Sequence, residues 1–168
     1  MLVLSLSSLS SLSLSLLRAF HLADSITWSE FRRQNAFWFG KGWHESRKQD
    51  DTLPYDAHFL HAMVAPRGLL LTEAYEDSGA NPASSYLAAQ TARQVYSLLG
   101  AEENIGWAFR ESGHNHAPDD YGALLDFMDA RIRREPVIRD FQRQLYPDLA
   151  QVLKRFGDPT RVPYGTPR

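Results

Sequence analysis

The chain has 168 residues, 18 Lys and Arg against 20 Asp and Glu for a formal net charge of -2, and no cysteine. That length suffices for one domain with a sizeable core, and the near-neutral balance gives no support for a nucleic-acid or other polyanionic partner. The absence of Cys excludes disulfides, thiol nucleophiles and thiolate-bound metals, while 12% aromatic content, four Trp among it, argues against a disordered composition.

Residues 1–17 are almost entirely Leu and Ser. No Lys or Arg precedes the apolar letters and serines interrupt them throughout, so the segment lacks the pattern of a secretory signal and is too short and polar for a membrane span. It reads as low-complexity sequence outside the fold, residues 1–24, with a degenerate signal peptide as the second reading. Residues 25–44 are rich in aromatics: Trp28, Phe31, Phe37, Trp38, Phe39 and Trp43. Core packing is the plainer interpretation. A sugar-stacking wall is the functional one, with Trp38 and Trp43 as candidate substrate-binding residues.

After a polar loop over residues 45–52, Asp56 is placed to cap a short helix carrying Phe59, Leu60, Met63 and Val64, which Pro66 ends. Residues 68–75, GLLLTEAY, form a dense apolar run bounded by turn signals, the pattern of a buried parallel strand. A polar turn, residues 76–82, leads to a helix over residues 84–99. Leu87, Thr91, Val95 and Leu98 are its expected inner face, and Gly100 is its stop. Residues 105–110, IGWAFR, make the next strand. A loop over 112–118 follows, then a helix opened by Asp119 and Asp120, whose charges suit a helix N-terminus. Its expected buried stripe is Tyr121, Leu124, Leu125, Met128 and Ile132. Strand, helix, strand, helix implies an α/β fold with a parallel sheet and right-handed crossovers. Residues 135–168 form an extension: an amphipathic helix over 137–156 interrupted by Pro147, then a frayed tail.

Asp77 follows the first strand and His114 follows the second. Acid after one strand and histidine after the next is the order in which α/β-type serine hydrolases deliver the last two members of their triad. Ligand sites in such sheets lie at the C-terminal ends of strands. A histidine there can take a proton from a nucleophile and return it to a leaving alcohol, and a carboxylate can fix its tautomer. A loop histidine without a role and a turn-forming Asp are the plainer alternatives. Glu76 could replace Asp77 chemically, whereas Glu73 falls within the strand. A serine in a G-x-S-x-G turn appears nowhere, and Ser84, Ser85 and Ser112, the nearest serines, lack that setting. His114 with His116, and His58 with His61, raise a zinc reading, but no H-E-x-x-H spacing accompanies them and no metal is assigned.

The segment LPYDAHFLHAMVAPRGLLLTEAYEDSGANPASSYLAAQTARQVYSLLGAEENIGWAFRESGHNHAPDDYGALLDFMD, residues 53–129, resembles the C-terminal part of bacterial glucuronoyl esterases, carbohydrate esterase family 15, often labelled acetylxylan esterases. NAFWFGKGW, residues 35–43, is similar to the aromatic stretch that precedes it in that family. The resemblance implies the C-terminal portion of an α/β-hydrolase fold: the last parallel strands with flanking helices, in an incomplete sheet, over residues 25–134. It implies a serine carboxylic-ester hydrolase that cleaves 4-O-methyl-glucuronoyl esters of plant cell-wall xylan without metal or other cofactor. His114 would be its catalytic histidine, Asp77 its acid, and the setting secreted or periplasmic. The family's Gly-Cys-Ser-Arg-x-Gly nucleophile block is absent from the chain, and Gly79 stands where members often have a sugar-facing Trp. The expectation is therefore a fragment without activity of its own. A non-catalytic carbohydrate-binding remnant, or another α/β hydrolase such as a prolyl-oligopeptidase-like peptidase, is the alternative. A half sheet further suggests an exposed apolar edge and self-association through it.

Overall fold

A computed structural model of the chain describes residues 57–77 and 80–147, together with Phe37, Gly40 and Lys41. Trp28, Trp38 and Trp43, the cap Asp56, Gly79, and the segments 1–24 and 148–168 lie outside the described residues. Helix α1 (Ala57–Ala62) leads to strand β1 (Leu69–Ala74), helix α2 (Pro82–Leu98), a short 3-10 turn (Glu102–Asn104), strand β2 (Ile105–Arg110) and helix α3 (Pro118–Met128). A π turn, Asp129–Arg133, prolongs α3. β1 and β2 pair in parallel from Leu69 opposite Ile105 to Ala74 opposite Arg110. Among the described residues the sheet has these two strands, so the architecture is α/β with the incomplete sheet expected from the sequence.

The apolar run of β1 is buried at every position, because helices cover both of its faces. Leu69, Leu71, Ile105, Trp107 and Phe109 pack with Tyr86, Leu87, Ala89, Ala92 and Tyr96 of α2, and with Val64 after α1. On the opposite face Leu70 packs with Ala123 and Phe127 of α3 and with Phe141. The alternation of side chains along a strand separates the two sets.

Helix α2 starts at Pro82 behind Asn81, whose side chain accepts from Ser84 N at 3.3 Å. It ends where Gly100 takes a left-handed conformation with φ of 66°. Ala101 N then donates to Tyr96 O at 2.9 Å and Gly100 N to Ser97 O at 3.0 Å, so the final carbonyls are satisfied in a Schellman arrangement. The inner face of α2 differs from the expected one. Val95 is 38% exposed and Leu98 85% exposed, while Ser85, Ala88, Ala89, Ala92 and Tyr96 are buried. Small residues let the helix lie close to the large rings of Trp107 and Phe109.

Helix α3 is turned in the same way. Tyr121, Leu125 and Ile132 are exposed, Leu124 and Met128 are half-buried, and Asp120, Ala123 and Phe127 face the sheet. The cause lies in β2: Gly106 leaves room for Phe127 and Phe141, and a Cβ there would come within 2.8 Å of Phe141 Cβ and 3.1 Å of Phe127 Cε2. In α1, Phe59, Leu60 and Met63 are exposed and Val64 alone of the expected set is buried.

Residues 134–147 are not helical, contrary to expectation. They run along β2, where Trp107 N donates to Phe141 O at 2.8 Å and Trp107 Nε1 to Arg143 O at 2.7 Å. Gln142 Nε2 donates to Ile105 O at 3.1 Å and to Glu102 O at 2.8 Å. These groups satisfy donors and acceptors on the flank of β2 that a further strand would otherwise use.

Candidate active site

Parallel pairing continues past the strand ends. Tyr75 N donates to Arg110 O at 2.9 Å and Glu76 N to Ser112 O at 3.2 Å. The loops carrying Asp77 and His114 therefore leave the same end of the sheet side by side. Asp77 Oδ2 lies 2.7 Å from His114 Nδ1. An ionised carboxylate can only accept; a neutral imidazole paired with one donates from Nδ1 and keeps its lone pair on Nε2. The two sides of the contact differ in access: the Asp77 side chain is 11% exposed and that of His114 66%. Asp77 is held further by its N–H to Ala74 O at 3.1 Å and by its carbonyl, which accepts from Ala80 N at 3.0 Å. Glu76, the alternative acid, is exposed and makes no side-chain contact of this kind among the described residues.

The other histidines have their own surroundings. His116 turns away from His114, with Nδ1 3.5 Å from Asp120 Oδ2 and its ring against Tyr121. His58 lies against Phe59, and His61 is buried under α2, where burial pushes its imidazole down to about 4. Among the described residues no three His, Asp or Glu side chains converge as metal ligands, and no helix is long and apolar enough to cross a membrane.

Ser84 and Ser85 are buried in the first turn of α2, and Ser112 is half-buried in the His114 loop. Glu73, inside β1 as expected, is 2% exposed. Burial pushes its carboxyl up to about 8, Asp77 and Asp120 push the same way, and Ser85 and Arg110 offset part of the shift. Glu73 Oε1 and Ser85 Oγ have no hydrogen-bond partner of good geometry among the described residues. Burial thus favours the neutral form of the Glu73 carboxyl.

Two residues of the site were not singled out by sequence reasoning. Arg110, the last residue of β2, donates from Nε to Asp120 Oδ2 at 2.7 Å, and both side chains are buried. Asp120 also accepts from Ala117 N at 2.8 Å, closing the N-terminus of α3. The signal was a charged residue ending the apolar run IGWAFR immediately before the loop, with an acid at the third position of the next helix.

Strands, flanking helices and an acid–histidine contact at the C-terminal strand ends define an α/β-hydrolase type of fold. The sequence pattern of the family described as glucuronyl esterase, fungi, matches residues 20–100. Carbohydrate esterase MZ0003, from an unidentified prokaryote, is 33% identical over 107 residues, covering 55% of this chain and 25% of its own length. The 4-O-methyl-glucuronoyl methylesterase of Schizophyllum commune is 38% identical over 107 residues, covering 62% of this chain and 27% of its own. Among solved structures, a carbohydrate esterase family 15 glucuronoyl esterase from Caldicellulosiruptor kristjansonii superposes with a TM-score of 0.69 at 31% identity, over 75% of this chain and 34% of that one. The matched residues are similar to a partial segment of glucuronoyl esterases. The chain spans about a quarter to a third of the length of these relatives.

Proposed function

We propose that the chain carries the acid and the histidine of a glucuronoyl esterase and acts in serine-dependent ester cleavage on 4-O-methyl-glucuronoyl esters of xylan. The observation that carries this reading is the 2.7 Å contact between Asp77 Oδ2 and His114 Nδ1 at the C-terminal ends of two paired parallel strands. With its proton on Nδ1, His114 offers Nε2 to a serine hydroxyl. It takes that proton as the serine attacks the ester carbonyl and gives it to the leaving alcohol, while Asp77 stabilises the imidazolium. A water repeats the cycle to release the acid. The relatives' names, glucuronoyl esterase and 4-O-methyl-glucuronoyl methylesterase, supply the substrate class.

These 168 residues hold no serine in a G-x-S-x-G turn, so this reading requires a nucleophile from outside them, and the chain alone is expected not to turn over. Benzyl glucuronate should be hydrolysed no faster by the 168-residue chain than by its His114→Ala variant. Turnover lost on that substitution would overturn the missing-nucleophile reading. Grafting residues 57–147 in place of the matching third of the Caldicellulosiruptor kristjansonii relative tests the roles themselves. In an active graft, His114→Ala and Asp77→Ala should each lower kcat by about a thousandfold or more. Retention of activity in both would refute the assignment.

A further inference from the structure

The loop that presents His114 buries little apolar surface, the His116 ring against Tyr121 being one aromatic contact of it. None of residues 111–117 is buried, and the His114 ring reaches out to a 66% exposed position. An exposed loop containing Gly113 would sample many conformations, and an imidazole on it would meet Asp77 only part of the time. Something must restrict the backbone on both sides of His114.

Arg110 is built to do so. Its guanidinium donates from Nη1 to Gly113 O at 3.3 Å and from Nη2 to Asn115 O, the carbonyls flanking His114 on either side. Its Nε is held by Asp120 at 2.7 Å, in a pair exposed by only 7% and 4%. Its own carbonyl accepts from Tyr75 N at 2.9 Å, which ties the Asp77 loop to the same residue. One residue thus joins the strand end, the first turn of α3, the backbone around His114 and the backbone leading to Asp77. A planar fork with donors in fixed directions can hold divergent carbonyls at once, which an ammonium on a flexible stem cannot.

We propose that Arg110 is the positioning residue of this site: its guanidinium clamps Gly113 O and Asn115 O and thereby presents the His114 imidazole to Asp77. This rests on the Asp77–His114 pairing of the proposed function. Arg110 takes no part in proton transfer; it sets the fraction of time in which the transfer geometry exists. Asp120, which anchors the guanidinium, supports it from α3.

The test is NMR on the labelled 168-residue chain. In the wild type, the ring-nitrogen shifts of neutral His114 should show the Nδ1–H tautomer in excess, and the Arg110 Nη protons should be separately resolved because the clamped guanidinium cannot rotate. Arg110→Lys keeps the charge and a partner for Asp120. With its fold verified by the Trp107 indole resonance, it should lower the Nδ1–H to Nε2–H ratio of His114 by roughly tenfold, equivalent to about 1.4 kcal/mol. A ratio unchanged in folded Arg110→Lys, or a freely rotating guanidinium in the wild type, overturns the proposal. The second measurement needs no variant and decides the matter even if the substitution unfolds the chain. Asp77→Asn separates the two readings. If it abolishes the tautomer excess while Arg110→Lys leaves it, the dyad stands and the clamp is wrong. If the wild type shows no excess and Asp77→Asn changes nothing, the dyad itself is refuted, and the clamp with it.

Discussion

The two faces of the β1–β2 pair do different work. Toward α2 the sheet presents Leu69, Leu71, Ile105, Trp107 and Phe109, packed on Tyr86, Leu87 and Tyr96. Toward α3 it presents Leu70, Gly106 and Ala108, and then the ion pair of Arg110 with Asp120. The first face buries large apolar area, which favours folding without specifying direction. The second buries a smaller cluster, Leu70, Ala123, Phe127 and Phe141, and adds close approach and directed hydrogen bonds. The loops of Asp77 and His114 emerge where this second face becomes polar, so the residues nearest the chemistry are fixed by hydrogen-bond geometry and not by packing bulk.

The largest effect should follow from attacking the first face. Trp107 is 1% exposed, meets Tyr86 edge-on at 5.3 Å and donates its indole N–H to Arg143 O at 2.7 Å. Trp107→Ala should cost about 3–5 kcal/mol in urea unfolding, from lost burial, a cavity and an orphaned carbonyl. A loss below about 1 kcal/mol would erase the distinction between the faces, since that is the scale of an ordinary surface change.

Glu73 is the exception within the aromatic face, and it makes that face sensitive to pH. Its carboxyl is raised from 4.5 to about 8, chiefly by burial. Between those values the folded chain holds a proton that the unfolded chain has released. Stability from this group is therefore complete below the unfolded value and is lost as pH rises through about 8. Glu73→Gln, a neutral near-isostere, should remove that decline. From about pH 5 to about pH 9 the wild type should lose on the order of 4 kcal/mol more than the variant. Parallel stability curves for the two proteins would show that Glu73 is not held neutral.

Much of this organisation was legible in the sequence because it is local. The run LLLTEA and the stop at Gly100 each depend on neighbouring residues, and the structure places them as read; Asp77 and His114 follow successive strands and lie 2.7 Å apart. The inner faces of the helices were misread because the eye follows large apolar residues. Here Ala89, Ala92 and Ala123 face the sheet while Leu98 and Leu125 do not. Which face turns inward was settled by the partner: large rings on β2 call for alanines on α2, and Gly106 admits Phe127. Residues 137–147 read as helix because their alternative, hydrogen bonds from Trp107 to Phe141 and Arg143, lies far away in sequence. The role of Arg110 in the loop escaped notice for the same reason: besides Asp120 its partners are the carbonyls of Gly113 and Asn115, which no side-chain pattern reveals.

On the second face the same comparison predicts overpacking in place of a cavity. Gly106→Ala would put a methyl 2.8 Å from Phe141 Cβ and 3.2 Å from Phe141 O, and backbone cannot yield as a flexible side chain can. The expected cost is about 1–3 kcal/mol by denaturant midpoint. A neutral or stabilising result would mean that α3 and residues 137–147 are packed less closely on β2 than the structure shows.

The smallest effect belongs to the other arginine that meets α3. Arg139 donates to Asp126 Oδ2 at 3.1 Å and to Asp119 Oδ1 at 3.0 Å, but here Asp119 is 57% and Asp126 44% exposed. Arg110 and Arg139 thus make similar contacts to acids of one helix, one dry and one wet. In water the Coulomb gain is screened and is offset by the entropy of holding long side chains. Asp119→Asn loses that contact and a charge near the helix N-terminus, so it should cost only about 0.3–1 kcal/mol. The loss should shrink as salt is added, because both contributions are exposed to mobile ions. Asp120→Asn, one residue further on, should be several times more costly and nearly indifferent to salt, because the buried guanidinium is left without its counter-charge. Equal costs for the two substitutions, or equal salt responses, would show that burial does not set the value of an ion pair on this face.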